Sequence, residues 1–281
     1  MEPSYHLYPR PRILVSPCLA QVACRYDATT NPCPALGELA PWVSLIDLCP
    51  EVEAGLPVPR PPMQYVKKGA SLTLRRELDA TDLLPGLAAW AASRVKQLGA
   101  LEGGIFKARS PSCAIGDCKL HQDTFDGPLL GQVPGFFVQA LAQARPNLAL
   151  ITEEDLLAPG QRNLFLTQAF VLARYRQASD IDGFLAQHAF WLQLYEDAGG
   201  LLHQAARMGR DAFAQALRPA LSKPLQVQKV AEMLALQARI PVPNGLNSTD
   251  FAHWGQGLVL KYGKKFPWIT LIFYPFPPQL A

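Results

Sequence analysis

Gly104-Ile-Phe-Lys-Ala-Arg-Ser-Pro-Ser-Cys113 joins a short apolar run to a polar turn that ends on a cysteine. The apolar residues predict a buried strand, and the serines and the proline predict a tight turn after it. Two more cysteines follow apolar runs in the same way, Cys18 after Ile13-Leu-Val15 and Cys49 after Val43-Ser-Leu-Ile46. Because the carboxyl ends of parallel strands form one edge of a sheet, where ligands collect, we expect the three thiols to converge.

The pattern of the chain changes near residue 159. Before it, apolar strands alternate with helical stretches, which predicts an α/β domain with a mainly parallel, Rossmann-like sheet. After it, Ala, Leu, Arg and Gln recur with helical periodicity. We therefore predict two domains, residues 1–158 and residues 159–281, the second of them all helical.

Three local stretches carry weaker signals. Residues 72–78 predict a strand or hairpin, and residues 127–135 predict a loop because they contain glycines and prolines. The tail at residues 268–278 is so apolar that we expect it to pack back on the protein, as an edge strand or otherwise.

Composition excludes some classes of protein. Of the 281 residues, 49% are hydrophobic and 17% charged, which favours a folded core over a disordered chain. The net charge of +3 is too small to indicate a nucleic-acid-binding protein by itself. Residues 159–281 carry 12 Lys and Arg against 7 Asp and Glu, a weak indication of an anionic partner there.

The cysteines are best explained by a reducing compartment. The sequence contains no run of ~20 apolar residues and no signal peptide at its start, so we predict a cytoplasmic protein without a membrane partner. In the cytoplasm thiols stay reduced, and the six cysteines are then not a disulfide scaffold. Some of them should be metal ligands or reactive groups.

The spacing of the three turn cysteines favours an iron–sulfur cluster. Cys18 and Cys49 are 31 residues apart and Cys49 and Cys113 are 64 apart, whereas zinc usually takes close cysteine pairs. A four-iron cluster held by three cysteines keeps one iron open as a Lewis acid, and Glu51 beside it could move protons. Cys24 is either a further ligand or a neighbour of the ligands, and a zinc site stays open as an alternative.

Several polar residues near these turns are candidates for binding a substrate. Arg25, Tyr26 and Asp27 follow Cys24 in a loop and can all form hydrogen bonds to a polar ligand. Arg109 and Ser112 belong to the central turn and are predicted to do the same. Neither serine of that turn lies in a G-x-S-x-G elbow, and the chain has no phosphate loop.

These turns together resemble the thiouracil desulfidase family. The resemblance is carried by residues 13–19, 24–27, 49–51, 55–62 and 107–113, in the order of the family, over about residues 11–156. It implies a [4Fe-4S] enzyme that replaces the sulfur of thiolated uracil with oxygen, a hydrolase-like reaction without net redox change. By position it implies Cys18, Cys49 and Cys113 as cluster ligands, leaving Cys24 out. It also implies Glu51 as the acid/base and Ser110 as a catalytic serine.

The resemblance has departures and extensions. The family usually has glycine where this sequence has Ala28 and Ala114, which puts the shape of those two loops in question. Residues 182–188 and 221–224 resemble a companion domain of desulfidases that act on 4-thiouridine in tRNA. The expected substrate is therefore a 4-thiouracil compound: free base, nucleoside monophosphate, or 4-thiouridine in tRNA. The alternative is an RNA-binding or interaction protein with a structural metal or cysteine site.

Overall fold

The computed structural model describes residues 8–192, 194–223, 226–243, 248–262, 275–277 and 280. The chain divides into two compact units, Pro11–Phe165 and a second formed by Met1–Arg10 with Leu166–Ala281. This division by contacts falls a few residues beyond the predicted boundary and groups the first ten residues with the helical unit. The two domains predicted at 1–158 and 159–281 stay a prediction.

The unit Pro11–Phe165 contains strands in two sheets, with helices between them. The strands are β1 (Arg12–Val15), β2 (Ser44–Asp47), β3 (Met63–Lys68), β4 (Ser71–Arg76), β5 (Gly103–Phe106), β6 (Cys118–Gln122), β7 (Leu129–Val133) and β8 (Ala149–Thr152). The helices that follow or separate them are α1 (Ala35–Leu39), α2 (Pro50–Glu53), α3 (Leu84–Gln97) and α4 (Phe136–Ala144).

The first sheet is parallel throughout, in the order β2-β1-β5-β8. Its strands β1, β5 and β8 are short apolar runs that are almost completely buried, as is typical of parallel strands covered on both faces. Every carboxyl end lies at the same edge, so the predicted α/β class with a mainly parallel sheet is confirmed. The turns that carry Cys18, Cys49 and Cys113 all leave from this edge.

The second sheet was only partly predicted. It has the order β4-β3-β6-β7. The antiparallel hairpins β3–β4 and β6–β7 are joined by parallel pairing of β3 with β6. The strand or hairpin expected at residues 72–78 corresponds to β4. The loop expected at residues 127–135 is wrong, because Leu129–Val133 pairs with β6 as an edge strand. Its side chains are mostly exposed or half-buried, so its sequence lacks the apolar run that identifies a buried strand.

The second unit is helical in its described parts. The elements are α5 (Pro159–Gln177), which begins in the first unit, α6 (Ile181–Leu192), α7 (Ala198–Met208), α8 (Arg210–Leu221), α9 (Val227–Ala238) and α10 (Ser248–Tyr262). Tyr175, Phe184 and Phe213 form a buried aromatic cluster with ring centroids 5.1–5.8 Å apart. Most of the tail predicted to pack back lies outside the described residues. None of the described helices is both long and apolar enough to cross a bilayer.

Gly135 allows the central turn to approach α4. A Cβ at Gly135 would lie 2.3 Å from the carbonyl carbon of Ser112 and 2.7 Å from the amide nitrogen of Cys113. We predict that Gly135→Ala lowers the free energy of unfolding by about 1–3 kcal/mol, because the turn must move. Gly116→Ala is the matched control, since a Cβ there meets nothing within 4 Å. Equal urea-denaturation midpoints for the two variants would contradict this account.

Candidate active site

The carboxyl edge of the parallel sheet is tied together by side chains. The hydroxyl of Ser16, after β1, accepts a hydrogen bond of 3.1 Å from the amide of Lys107, after β5. Glu153, after β8, accepts from the amide of Ala108 over 2.6 Å and pairs with Lys107 Nζ at 2.5 Å. Three neighbouring strands therefore hold the start of the central turn, Lys107–Cys113, in one place.

A cavity of about 530 Å³ opens at this edge. All of the predicted site residues except Asp27 line it. The carboxylate of Asp27 instead accepts hydrogen bonds from the amide and hydroxyl of Thr29, at 3.1 and 2.7 Å. Asp27 thus shapes its own loop, and the structure does not bring it to the cavity with the others.

Five cysteines line this cavity, Cys18, Cys24, Cys49, Cys113 and Cys118, and the four that the sequence singled out come from separate segments of the chain. Cys18 lies in the 3-10 helix Pro17–Ala20, Cys49 caps α2, and Cys113 ends the central turn. Cys24 follows the loop after Cys18, and its carbonyl oxygen lies 3.9 Å from the sulfur of Cys49. Burial raises the pKa of Cys18 to about 11 and that of Cys113 to about 12. As free thiols these groups are protonated at neutral pH, so metal binding must release protons.

The donor set fits an iron–sulfur cluster. Soft thiolates are the ligands that iron–sulfur clusters use, and Cys18, Cys49 and Cys113 all line one cavity. Within the described residues, no three His, Cys, Asp or Glu side chains lie close enough to share a single metal ion. Each cysteine of a cluster binds its own iron, so cluster ligands stand further apart than the ligands of one ion.

Glu51 is the best-anchored polar group in the cavity. Its Oε1 accepts a hydrogen bond of 2.6 Å from the hydroxyl of Ser112, and its Oε2 accepts one of 2.6 Å from Arg60 Nε. The hydroxyl of Ser110 lies 3.0 Å from that of Ser112. Ser112 therefore contacts the carboxylate directly, whereas Ser110, the predicted catalytic serine, reaches it through Ser112.

Sequence reasoning missed Arg60. Its guanidinium also donates to the carbonyl oxygens of Pro57 and Cys24, at 3.1 and 3.0 Å, so it links the proline run to the Cys24 loop. The side chains of Arg60 and Glu51 are only 5% and 9% exposed. A buried carboxylate needs a charged or hydrogen-bonding partner. The sequence signal for such a partner was an arginine between two prolines, nine residues after the predicted catalytic glutamate.

The other predicted substrate-binding residues lie at the mouth of the cavity. Arg25 stacks on Tyr26, with its guanidinium carbon 5.9 Å from the ring centroid, and Tyr26 is 43% exposed. Arg109 forms a bidentate ion pair with Glu154 outside the cavity wall, and both side chains are about half exposed. Tyr26 is therefore accessible to a ligand, whereas Arg25 and Arg109 each have a carboxylate partner, Asp27 at 3.6 Å and Glu154.

The second sheet forms a wall that the sequence did not predict. Gln64 of β3 and Cys118, Lys119 and His121 of β6 line the same cavity. The hydroxyl of Tyr65 donates a hydrogen bond of 3.2 Å to the carbonyl of Pro111, which joins this wall to the central turn. The wall was missed because β6 and its partner β7 were not recognised as strands.

Comparison with known proteins assigns this site to a family. A model of the 2-thiouracil desulfurase family matches residues 13–155, about half of the chain and all of the cysteine turns. The chain belongs to the 2-thiouracil desulfurase family. The resemblance noted from the sequence is thereby confirmed, and the coarse prediction of an enzyme that removes sulfur from thiouracil is confirmed with it.

Two individual proteins are similar over the same half. The uncharacterized protein YbbK of Bacillus subtilis (strain 168) is 27% identical over 152 residues, which is 51% of this chain and 97% of YbbK. The solved structure of the [4Fe-4S]-dependent thiouracil desulfidase TudS is 25% identical and covers 54% of this chain and 97% of its own. Its TM-score of 0.42 is too low for that likeness to bear on this chain.

The two ion pairs that helix α2 forms allow a matched test of burial. We predict that Arg60→Met lowers the free energy of unfolding by about 3–5 kcal/mol, because Glu51 is left as a buried charge without its partner. Arg94→Met removes the partner of Glu53, whose pair is 27% and 36% exposed, and is expected to cost less than about 1 kcal/mol. Urea denaturation of both variants measures the difference, and similar losses would refute the assigned role of Arg60.

The two alanines that replace family glycines are predicted to behave oppositely. Ala28 is exposed and has φ of 57°, a conformation that favours glycine, so Ala28→Gly should stabilise the protein by about 0.5–1 kcal/mol. Ala114 is fully buried and is not among the described residues with positive φ, so Ala114→Gly should destabilise it by about 1–2 kcal/mol. Thermal denaturation with the same sign for both variants would contradict this.

Proposed function

We propose that this protein exchanges the thiocarbonyl sulfur of a 4-thiouracil compound for the oxygen of water. The reaction releases sulfide and involves no net oxidation or reduction, so that C=S and H₂O give C=O and H₂S. A [4Fe-4S] cluster held by Cys18, Cys49 and Cys113 is part of the proposal. The observation that carries it is the Ser112–Glu51 hydrogen bond of 2.6 Å in the cavity that the cysteines line.

The cluster and the carboxylate have separate roles. A bound cluster with one iron free of protein ligands supplies a soft Lewis acid for the thiocarbonyl sulfur. Glu51 accepts the proton of the attacking water and returns a proton to the leaving sulfur. Ser112 and Arg60 each hold one carboxylate oxygen, so the acid/base group is oriented before the substrate arrives.

Cys24 is proposed to stand outside the ligand set. Its carbonyl oxygen accepts a hydrogen bond of 3.0 Å from Arg60, which gives this residue a structural role through its backbone. Its thiol nevertheless lines the cavity, so the choice between Cys24 and the other three rests on the family resemblance. Iron counts of reconstituted Cys→Ser variants separate the two cases.

The finer identity of the substrate also belongs to the proposal. We include 4-thiouridine, its monophosphate, and 4-thiouridine within tRNA. Residues 159–281 support the tRNA substrate through their excess of 12 Lys and Arg over 7 Asp and Glu and through the resemblance at 182–188 and 221–224. The tRNA partner and the cytoplasmic location stay predictions.

The central test uses the anaerobically reconstituted full chain. The reconstituted protein should release sulfide from 4-thiouridine monophosphate or from 4-thiouridine-containing tRNA, and should leave uridine in place of the 4-thiouridine. Glu51→Gln should lower kcat by about 10²–10⁴-fold, because the acid/base group is lost. Glu53→Gln is the matched control on the same helix, since Glu53 pairs with Arg94 at an exposed position, and it should leave kcat unchanged.

Other outcomes favour the alternatives. A reconstituted protein that holds iron and sulfide yet releases no sulfide from any thiolated substrate would favour an RNA-binding or interaction protein with a structural cysteine site. One zinc per chain and no iron would favour the zinc alternative. A Cys113→Ser protein with full iron content, or a Cys24→Ser protein that loses iron, would overturn the assigned ligands.

A further inference from the structure

His121 lines the cavity, and one of its two ring nitrogens fixes the orientation of the ring. Its Nδ1 lies 2.7 Å from the carbonyl oxygen of Gly127, and because a carbonyl only accepts, Nδ1 carries the proton. In the neutral ring Nε2 then bears a lone pair. This atom is buried, and no described group forms a hydrogen bond with it, although the residue lines the cavity. A buried acceptor without a partner costs free energy, so it calls for a ligand.

The local backbone is built to hold His121 in this orientation. The pairing of β6 with β7 shifts by one residue between Leu120 and His121, which is a β-bulge, and bulges re-aim the side chain beside them. The carbonyl that fixes the ring belongs to Gly127, where a Cβ would lie 1.9 Å from the carbonyl oxygen of Gln122. Only glycine fits this tight turn, and its carbonyl oxygen fixes the imidazole.

Gln64 extends the same polar surface on the neighbouring strand. The parallel register pairs Val66 with His121, so Gln64 lies beside Lys119, one step back along the sheet. Its Oε1 is also buried and forms no hydrogen bond with any described group, and the residue lines the cavity. Two acceptors without partners on adjacent strands match a ligand that carries several hydrogen-bond donors.

His121 and Gln64 line the same cavity as Glu51 but belong to the second sheet, whereas Glu51 lies on α2 at the edge of the first. The two hydroxyls of a ribose are neighbouring donors, and they match two neighbouring acceptors.

We propose that His121 and Gln64 form a subsite for the ribose hydroxyls of a thiouridine, with His121 Nε2 as the main acceptor. The inference rests on the proposed desulfidase function and makes the substrate a nucleoside or a nucleotide. Ribose hydroxyls are donors that a thiouracil base does not have, so this subsite selects for the attached sugar. In this proposal Glu51 takes part in the reaction, and His121 on the second sheet recognises the ribose.

The test compares His121→Phe with wild type as the cluster-loaded full chain. His121→Phe keeps the ring and removes both nitrogens, and we expect it to raise KM for 4-thiouridine by about 10–100-fold with kcat little changed. His121→Gln keeps an acceptor and should recover part of the loss. Gln122→Ala, the next residue on the strand, points to solvent and should match wild type. The wild-type protein should show the same factor of increase in KM when the substrate is the 2′- or the 3′-deoxy analogue of 4-thiouridine. The KM of His121→Phe should not increase further with that analogue.

Calorimetric binding of uridine separates failure of the subsite from failure of the proposed function. If no thiolated compound releases sulfide but His121→Phe still weakens uridine binding about tenfold or more, the function fails and the subsite stands. The subsite is overturned if wild type does not bind uridine, or if His121→Phe binds it as wild type does. The subsite is also overturned if His121→Phe raises KM, relative to wild type, by the same factor for 4-thiouridine and for both deoxy analogues.

Discussion

The buried carboxylate of Glu51 is the constraint on which the rest of the site depends. Removing a carboxylate from water costs several kcal/mol unless charged and hydrogen-bonding partners surround it. Arg60 supplies the charge and Ser112 supplies a hydroxyl, each to a different carboxylate oxygen. Through these two residues, the proline run, the Cys24 loop and the central turn are all held around one buried carboxylate.

The parallel sheet explains why such distant residues meet. Turns after adjacent strands necessarily leave from one edge, and the bonds from Ser16 and Glu153 to the start of the central turn lock them together. The second sheet then closes the cavity from another side. Its hairpins tolerate a bulge and tight glycine turns, so it can aim single side chains without disturbing the turns that carry the cysteines.

The sequence predicted the parts of the site that depend on local patterns. An apolar run followed by a Pro- or Ser-containing turn and a cysteine is readable at Cys18, Cys49 and Cys113, and the parallel edge follows from it. The role of Arg60 was not readable, because it depends on the burial of a carboxylate from another segment. The wall with His121 was hidden because β6 and β7 are half exposed and pair only in the folded chain. The place of Asp27 outside the cavity lining was not readable either, because its carboxylate bonds to the backbone two residues ahead.

Anomalous diffraction at the iron edge from crystals of the reconstituted protein tests the central claim most directly. We predict iron in the cavity beside Glu51, bound by the sulfurs of Cys18, Cys49 and Cys113, with one iron free of protein ligands and facing the carboxylate. Iron bound outside this cavity, a single zinc in its place, or a cluster that takes Cys24 instead of one of the three cysteines would contradict that claim.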